Sequence, residues 1–282
     1  MFEIRPFPGA FINTWESSYK RFTFGLAEVL DSNKSEGNIF LTPSGRTSLN
    51  FIQYFSYLPL MCKSKNKSIK IFADSKVLAL MQKIGSLPEG SYTEQDDIFK
   101  VLFENSQQIK EKNEIFEWVK AIPREAPVEM NDKLEEIFIT YLGEMFNNSL
   151  DHGNASFVVG SKYYKNVKQT YTFTVYDTGV GIPTNVKTFL NKDIKDSEAI
   201  EWALQAGHST VKSPLVPRGA GFNLLLSFAE NNKGAIRICS GKGVFMYTPS
   251  LGKRFYDLEK PFVGTVFEMD IMADPNHTYI LK

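Results

Sequence analysis

The chain has 282 residues with 32 basic and 32 acidic side chains, so its formal net charge is zero and an extended nucleic-acid surface is not expected. Its length allows one large domain or two small ones, and 23 Phe and 12 Tyr make an otherwise ordinary globular composition rich in aromatics. No charged-then-apolar leader opens the sequence and no apolar run approaches bilayer length, so no membrane contact is expected and the expected location is cytoplasmic.

Residues 1–90 read as short strands alternating with helices. Met1–Pro6 is a strand candidate, and Trp15–Leu30 carries a helical pattern through Tyr19, Phe22, Phe24, Leu26 and Leu30. Asn38–Thr42 is a compact apolar strand, followed by a helix from about Thr47 to Met61 capped by Thr47 or Ser48. Cys62 at its end and the distant Cys239 have no ligand-like spacing and read as buried thiols. Lys67–Asp74 alternates as a strand and Ser75–Ile84 returns to helix, which implies an α/β layer with at least some parallel pairing. This order resembles a STAS domain, the fold of anti-sigma-factor antagonists, in which a serine at a helix N-terminus can be phosphorylated. Ser44 and Ser48 stand in about that place, although the family's Asp-Ser-Ser-Gly signature is absent. A turn residue and a helix cap are their alternative roles.

Residues 91–125 read as a helical connector. Gly85–Gly90 breaks the preceding helix, Asp96–Lys120 mixes charged and apolar residues in a helical pattern, and Pro123 and Pro127 end it.

From about 126 to 282 the motifs become chemical. Leu134, Ile137, Phe138, Tyr141, Leu142, Met145 and Phe146 recur at helical spacing and predict one buried face. Glu144, Asn148 and either Asp151 or His152 stack on a second face, where a carboxylate and an amide one turn apart suit water activation and Mg²⁺ coordination. Phe157–Gly160 and Thr170–Tyr176 predict antiparallel strands, the second running into Asp177-Thr-Gly-Val-Gly-Ile-Pro183. An Asp at a strand end can accept from an exocyclic amine, and Gly179 and Gly181 let a flat ring approach the backbone. A long polar segment, Thr184–Pro217, follows, with a short helical pattern at Ser197–Gln205. Gly219 and Gly221 then precede the apolar helix Phe222–Glu230, offering N–H groups to an anion with Lys212 and Arg218 beside them. Ala235–Ser240, Val244–Tyr247 and Gly264–Ile271 predict three more strands.

Each of these signals alone is a commonplace turn or Gly-rich loop. In this order, Glu144-x-x-x-Asn148, Asp177-x-Gly179-x-Gly181, Gly219-x-Gly221 and Gly264-Thr265 resemble the N, G1, G2 and terminal Gly-Thr boxes of the GHKL superfamily. That superfamily groups gyrase, the ninety-kilodalton heat-shock chaperone, histidine kinases and MutL, and anti-sigma serine kinases share its nucleotide fold. The resemblance covers Asn131 to Ile271. It implies an α+β chain: a Bergerat-type α/β sandwich with a mixed sheet covered on one face by helices, preceded by the smaller STAS-like domain. It further implies ATP or ADP as ligand, with Asn148 on Mg²⁺ and Asp177 on the adenine amino group, supported by Thr265. Gly179, Gly181 and Ile182 would shape the adenine pocket, and Gly219 and Gly221 would hold the phosphates. Thr184–Arg218 would be a mobile lid, and Glu144 the general base.

The three histidines, His152, His208 and His277, leave the first 151 residues without one, so a self-phosphorylating histidine kinase is not expected. Gyrase-like and MutL-like proteins place after the ATPase fold a second domain that lends a lysine to the phosphates. Only about ten residues follow Ile271, so the candidate substitute is Lys212, with an ordinary solvated lysine as its alternative role. Two readings stay open: a slowly hydrolysing ATP switch that controls a protein partner, and an anti-sigma-type serine/threonine kinase acting on a STAS-like partner. A homodimer is also left open.

Overall fold

The computed structural model describes residues 2–4, 15–41, 49–73, 75, 77–79, 92–95, 98–101, 117, 120, 131–151, 155, 158–165, 169–210, 221–273 and 277–280. The chain divides into two compact units, Met1–Gln108 with Leu258–Phe262, and Ile109–Asp257 with Val263–Lys282.

In the first unit, β1 (Phe2–Ile4), α1 (Trp15–Asp31), β2 (Glu36–Leu41), α2 (Leu49–Ser64) and β3 (Ser68–Ala73) alternate along the chain. Helical crossovers return the chain in the same direction, so β1, β2 and β3 pair in parallel. Two short strands, β4 (Tyr92–Gln95) and β5 (Ile98–Val101), close the sheet by antiparallel pairing in the order β1-β2-β3-β5-β4. The expected connector over 91–125 is therefore corrected. Its first part is a hairpin whose residues Ile98–Val101 belong to the β3 ladder, and the unit runs past the expected boundary at 90. The helices bury Tyr19, Phe22, Leu26, Tyr54, Tyr57 and Leu58. Phe262 packs its ring on Phe22 and Tyr54, and Phe40 stacks on Phe72 at 4.8 Å. Ser44 and Ser48 lie outside the described residues.

The second unit opens with α3 (Asp132–Asp151), whose Asp132 and Glu135 sit in the first turn, where carboxylates favour the helix dipole. Phe138, Leu142 and Met145 are buried on one face, as the helical spacing predicts. The sheet consists of β6 (Val158–Lys165), β7 (Thr170–Asp177), β8 (Ala235–Thr248) and β9 (Gly252–Met272), in the order β6-β7-β9-β8. β7 pairs antiparallel with both β6 and β9, and residues 249–251 alone join β8 to β9. Connections this short allow only a hairpin. The mixed sheet expected in this half is thus corrected: among the described residues its β6–β7 and β7–β9 pairings are antiparallel, and parallel pairing belongs to the first unit. Two strands also stand where three were expected. β8 continues through Gly241, at φ +57°, and β9 begins at Gly252.

Tyr171, Phe173 and Val175 of β7 enter one core with Phe138, Phe228, Phe245 and Phe267. The alternate residues Thr172 and Thr174 are also buried. Beside them Arg237 donates to Glu268 and, at 2.7 Å, to Asp270, so these buried charges are paired.

Within the expected lid, the helical pattern at Ser197–Gln205 becomes a helix, and a second helix not expected from the sequence precedes it. Residues 182–203 form two helices, α4 (Ile182–Leu190) and α5 (Asp196–Ala203). Val186, Ala199 and Ile200 are buried, and Asp196 accepts from the Lys242 N–H at 2.7 Å and pairs with Lys187 at 2.9 Å. Ser197 is held by Asp257 through both its N–H and its hydroxyl. Of the expected lid, only 211–218 lies outside the described residues.

Helix α6 (Gly221–Asn231) follows. Beyond it, the Asn232 amide is bonded to both main-chain groups of Ile280, at 2.7 and 2.8 Å, and Tyr279 stacks on Phe228. Both cysteines are buried free thiols; burial pushes Cys62 up to about 12 and Cys239 well above its ordinary value. Among the described residues, no helix is long and apolar enough to cross a membrane.

Candidate functional site

β7 ends at Asp177, which is 5% exposed. Its Oδ1 accepts the Gly179 N–H at 2.8 Å, closing the turn that Gly179 begins, and its Oδ2 accepts the Ser149 hydroxyl at 2.8 Å. Burial pushes the carboxyl up from its ordinary 3.8 to about 6, against the opposing pull of hydrogen bonds from Gly179, Ser149 and the Thr265 main chain. Thr265 lies directly opposite Asp177 in the β7–β9 ladder. Gly264 has φ +78°, and a Cβ there would overlap the Asp177 carbonyl, so only glycine lets the strands approach at this point.

Ser240 ties the neighbouring pieces together. Its Oγ accepts the Ile182 N–H at 2.9 Å and lies 2.9 Å from Thr265 Oγ1. Gly181, at φ +86°, passes so close that a Cβ would stand 2.8 Å from that Oγ. The support expected from the Thr265 hydroxyl thus goes to Ser240, while the Thr265 main chain serves Asp177.

These groups open onto one cleft. Asn148, Asp177, Gly181, Ile182, Gly221 and Thr265 all line it, so six of the expected site residues come together from α3, β7, α4, α6, β9 and the turn before α4. Gly179 acts one step back, through its bond to Asp177. Glu144 lies on α3 one turn before Asn148, but its side chain is not among those described, and Lys212, Arg218 and Gly219 lie outside the described residues.

Ser149, Asn185, Trp202, His208 and Phe222 also line the cleft, and none was marked as a site residue by its motif. Ser149 follows Asn148 directly and is turned about 100° around the helix from it, off the polar stripe that drew attention to Asn148. Ser240 is isolated in the sequence and matters only through β8–β9 pairing.

Val175, Ile182 and Phe267 give the cleft an apolar wall beside a carboxylate with acceptor capacity to spare, which suits a flat ring bearing an amine. Among the described residues, no group of three or more His, Cys, Asp or Glu could hold a metal ion. No protein-family model matches this sequence, and comparison with curated proteins finds no significant similarity.

Proposed function

We propose that the second unit is a GHKL-type nucleotide site that binds ATP or ADP with Mg²⁺, and that the protein is a slowly hydrolysing switch controlling a protein partner. The observation that carries this reading is the convergence of Asn148, Asp177, Gly181, Ile182, Gly221 and Thr265 on one cleft. Asp177 would accept from the adenine amino group, with Ile182 against the ring and Gly181 admitting it. The first-turn N–H groups of α6, at Gly221, would face the phosphates.

A phosphate-borne Mg²⁺ keeps several waters and needs only one or two protein oxygens, so the Asn148 amide oxygen is a fitting ligand and a cluster of carboxylates is not required. When bound, Mg²⁺ would neutralise charge on the transferring phosphate. Glu144, one turn earlier on the same rigid helix, would take a proton from the attacking group. The first unit, an α/β layer, is the proposed STAS-like part that answers to nucleotide state.

Calorimetric titration with ATP and GTP in Mg²⁺ tests the binding. ATP should bind and GTP should bind far more weakly, because guanine presents a carbonyl where Asp177 needs a donor. Failure to bind either nucleotide overturns the reading, and equal affinity overturns the role of Asp177. Incubation with γ-labelled ATP then separates the two chemistries: label in free phosphate supports the switch, and label on protein supports the serine/threonine kinase.

A further inference from the structure

We propose that His208 is a phosphate-contacting residue that makes the cleft select phosphorylated nucleosides over the bare nucleoside. This rests on the nucleotide reading of the cleft and deepens it. His208 lines the cleft, and its ring is fixed from two sides. Its Nδ1 lies 3.0 Å from the Trp202 carbonyl oxygen, and its face packs on the Trp202 ring with centroids 4.5 Å apart. The main-chain N–H of His208 donates to the Gln205 carbonyl at 3.2 Å.

A carbonyl can only accept, so Nδ1 carries a hydrogen in either protonation state and the ring's variable atom is Nε2. Among the described residues Nε2 has no hydrogen-bond partner, and it is not among the buried unsatisfied atoms. The imidazole is therefore oriented by the protein at one nitrogen and, among the described residues, open to a ligand at the other.

What Nε2 would meet follows from charge. Among the described lining residues, His208 is the one side chain that can carry a positive charge, and Asp177 is the one carboxylate. Asp177 already accepts from Ser149 and Gly179, beside the apolar wall suited to a base. His208 is instead followed by Ser209 and Thr210, whose hydroxyls can donate, and Gly221 at the start of α6 lines the same cleft. Phosphate oxygens accept only, so a phosphate would meet Nε2 as the donor of a charge-assisted hydrogen bond.

The test is calorimetric titration of the full chain with adenosine, ADP and ATP, for wild type, His208→Ala and His208→Gln. Hydrogen bonds to charged groups are among the stronger ones, so both variants should bind ADP and ATP about tenfold or more weakly. Their adenosine affinity should stay within about twofold of wild type, which also shows that the variants are folded. Equal loss for adenosine and ATP would mean that His208 acts only as a wall through Trp202, and overturns the proposal. Unchanged affinity for all three ligands overturns it too, with the nucleotide reading intact. Failure of the wild type to bind any of them overturns that reading and this inference together.

Discussion

Asp177→Asn tests whether the cleft is built at a cost to the fold. In the native protein burial raises the Asp177 carboxyl from its ordinary 3.8 to about 6. The folded state therefore holds this proton more tightly than the unfolded chain. Below about pH 3.8 the group is protonated in both states and contributes nothing. Between that value and about 6 the unfolded chain releases its proton first, and stability falls as pH rises. Above about 6 the full cost is present: a difference of about 2.2, at about 1.4 kcal/mol per pH unit, comes to about 3 kcal/mol.

Asparagine has the same shape and never ionises. Its oxygen can still accept the Gly179 N–H. Ser149 can accept from the new amide, since its own proton can go to the Met145 carbonyl at 3.2 Å. Urea denaturation followed by tryptophan fluorescence at several pH values should find the two proteins nearly equal at about pH 3, below both values. The variant should then pull ahead by up to about 3 kcal/mol at pH 7.5. A stability difference that is flat with pH, or one that favours wild type increasingly as pH rises, would refute the argument that burial dominates this carboxylate.

Two further outcomes follow. Glu144→Ala should keep ATP affinity but slow turnover by about 10²–10⁴-fold, measured as phosphate release or transfer; unchanged turnover would assign the proton to another group. Gly264→Ala should destabilise the second unit by more than about 3 kcal/mol in the same urea assay, because the new Cβ meets the Asp177 carbonyl at a φ of +78°. A near-neutral result there would mean that β7 and β9 separate easily beside the cleft.

The sequence was most legible where one period ran uninterrupted. Thr170–Tyr176 alternates β-branched and aromatic residues, and becomes a central strand ending at Asp177. Phe138, Leu142 and Met145 follow the helical spacing into the core. Reading failed where the apolar signal was thin. Helix α4 buries only Pro183 and Val186, so its polar face read as a loop, whereas the short helical pattern at Ser197–Gln205 does become α5. Gly241 looks like the end of a strand, yet its φ of +57° lets β8 pass where a Cβ would stand 2.6 Å from an Asp196 carboxylate oxygen. β5 is too short to assert its own period against the charged residues around it. At the site, motif spacing exposed the glycines and Asp177. Ser149, Ser240 and His208 act through hydroxyl or ring contacts across elements, for which one chain position carries no local pattern.

The bond pair between Asn232 and Ile280 has its own consequence for which substitutions that region tolerates. A carboxamide carries one acceptor and two donors, and Asn232 spends one donor on the Phe228 carbonyl and the remaining pair on the two main-chain groups of Ile280. It impersonates the edge of a neighbouring strand, recognising peptide geometry and not a side chain. Position 280 can therefore change freely, its side chain being largely exposed, except to proline, which has no N–H to give. Position 232 has no such freedom: an aspartate there would set an oxygen against the carbonyls of both Phe228 and Ile280. The identity written at 232, not at 280, decides whether residues 277–280 stay docked beside α6, whose other end lines the cleft.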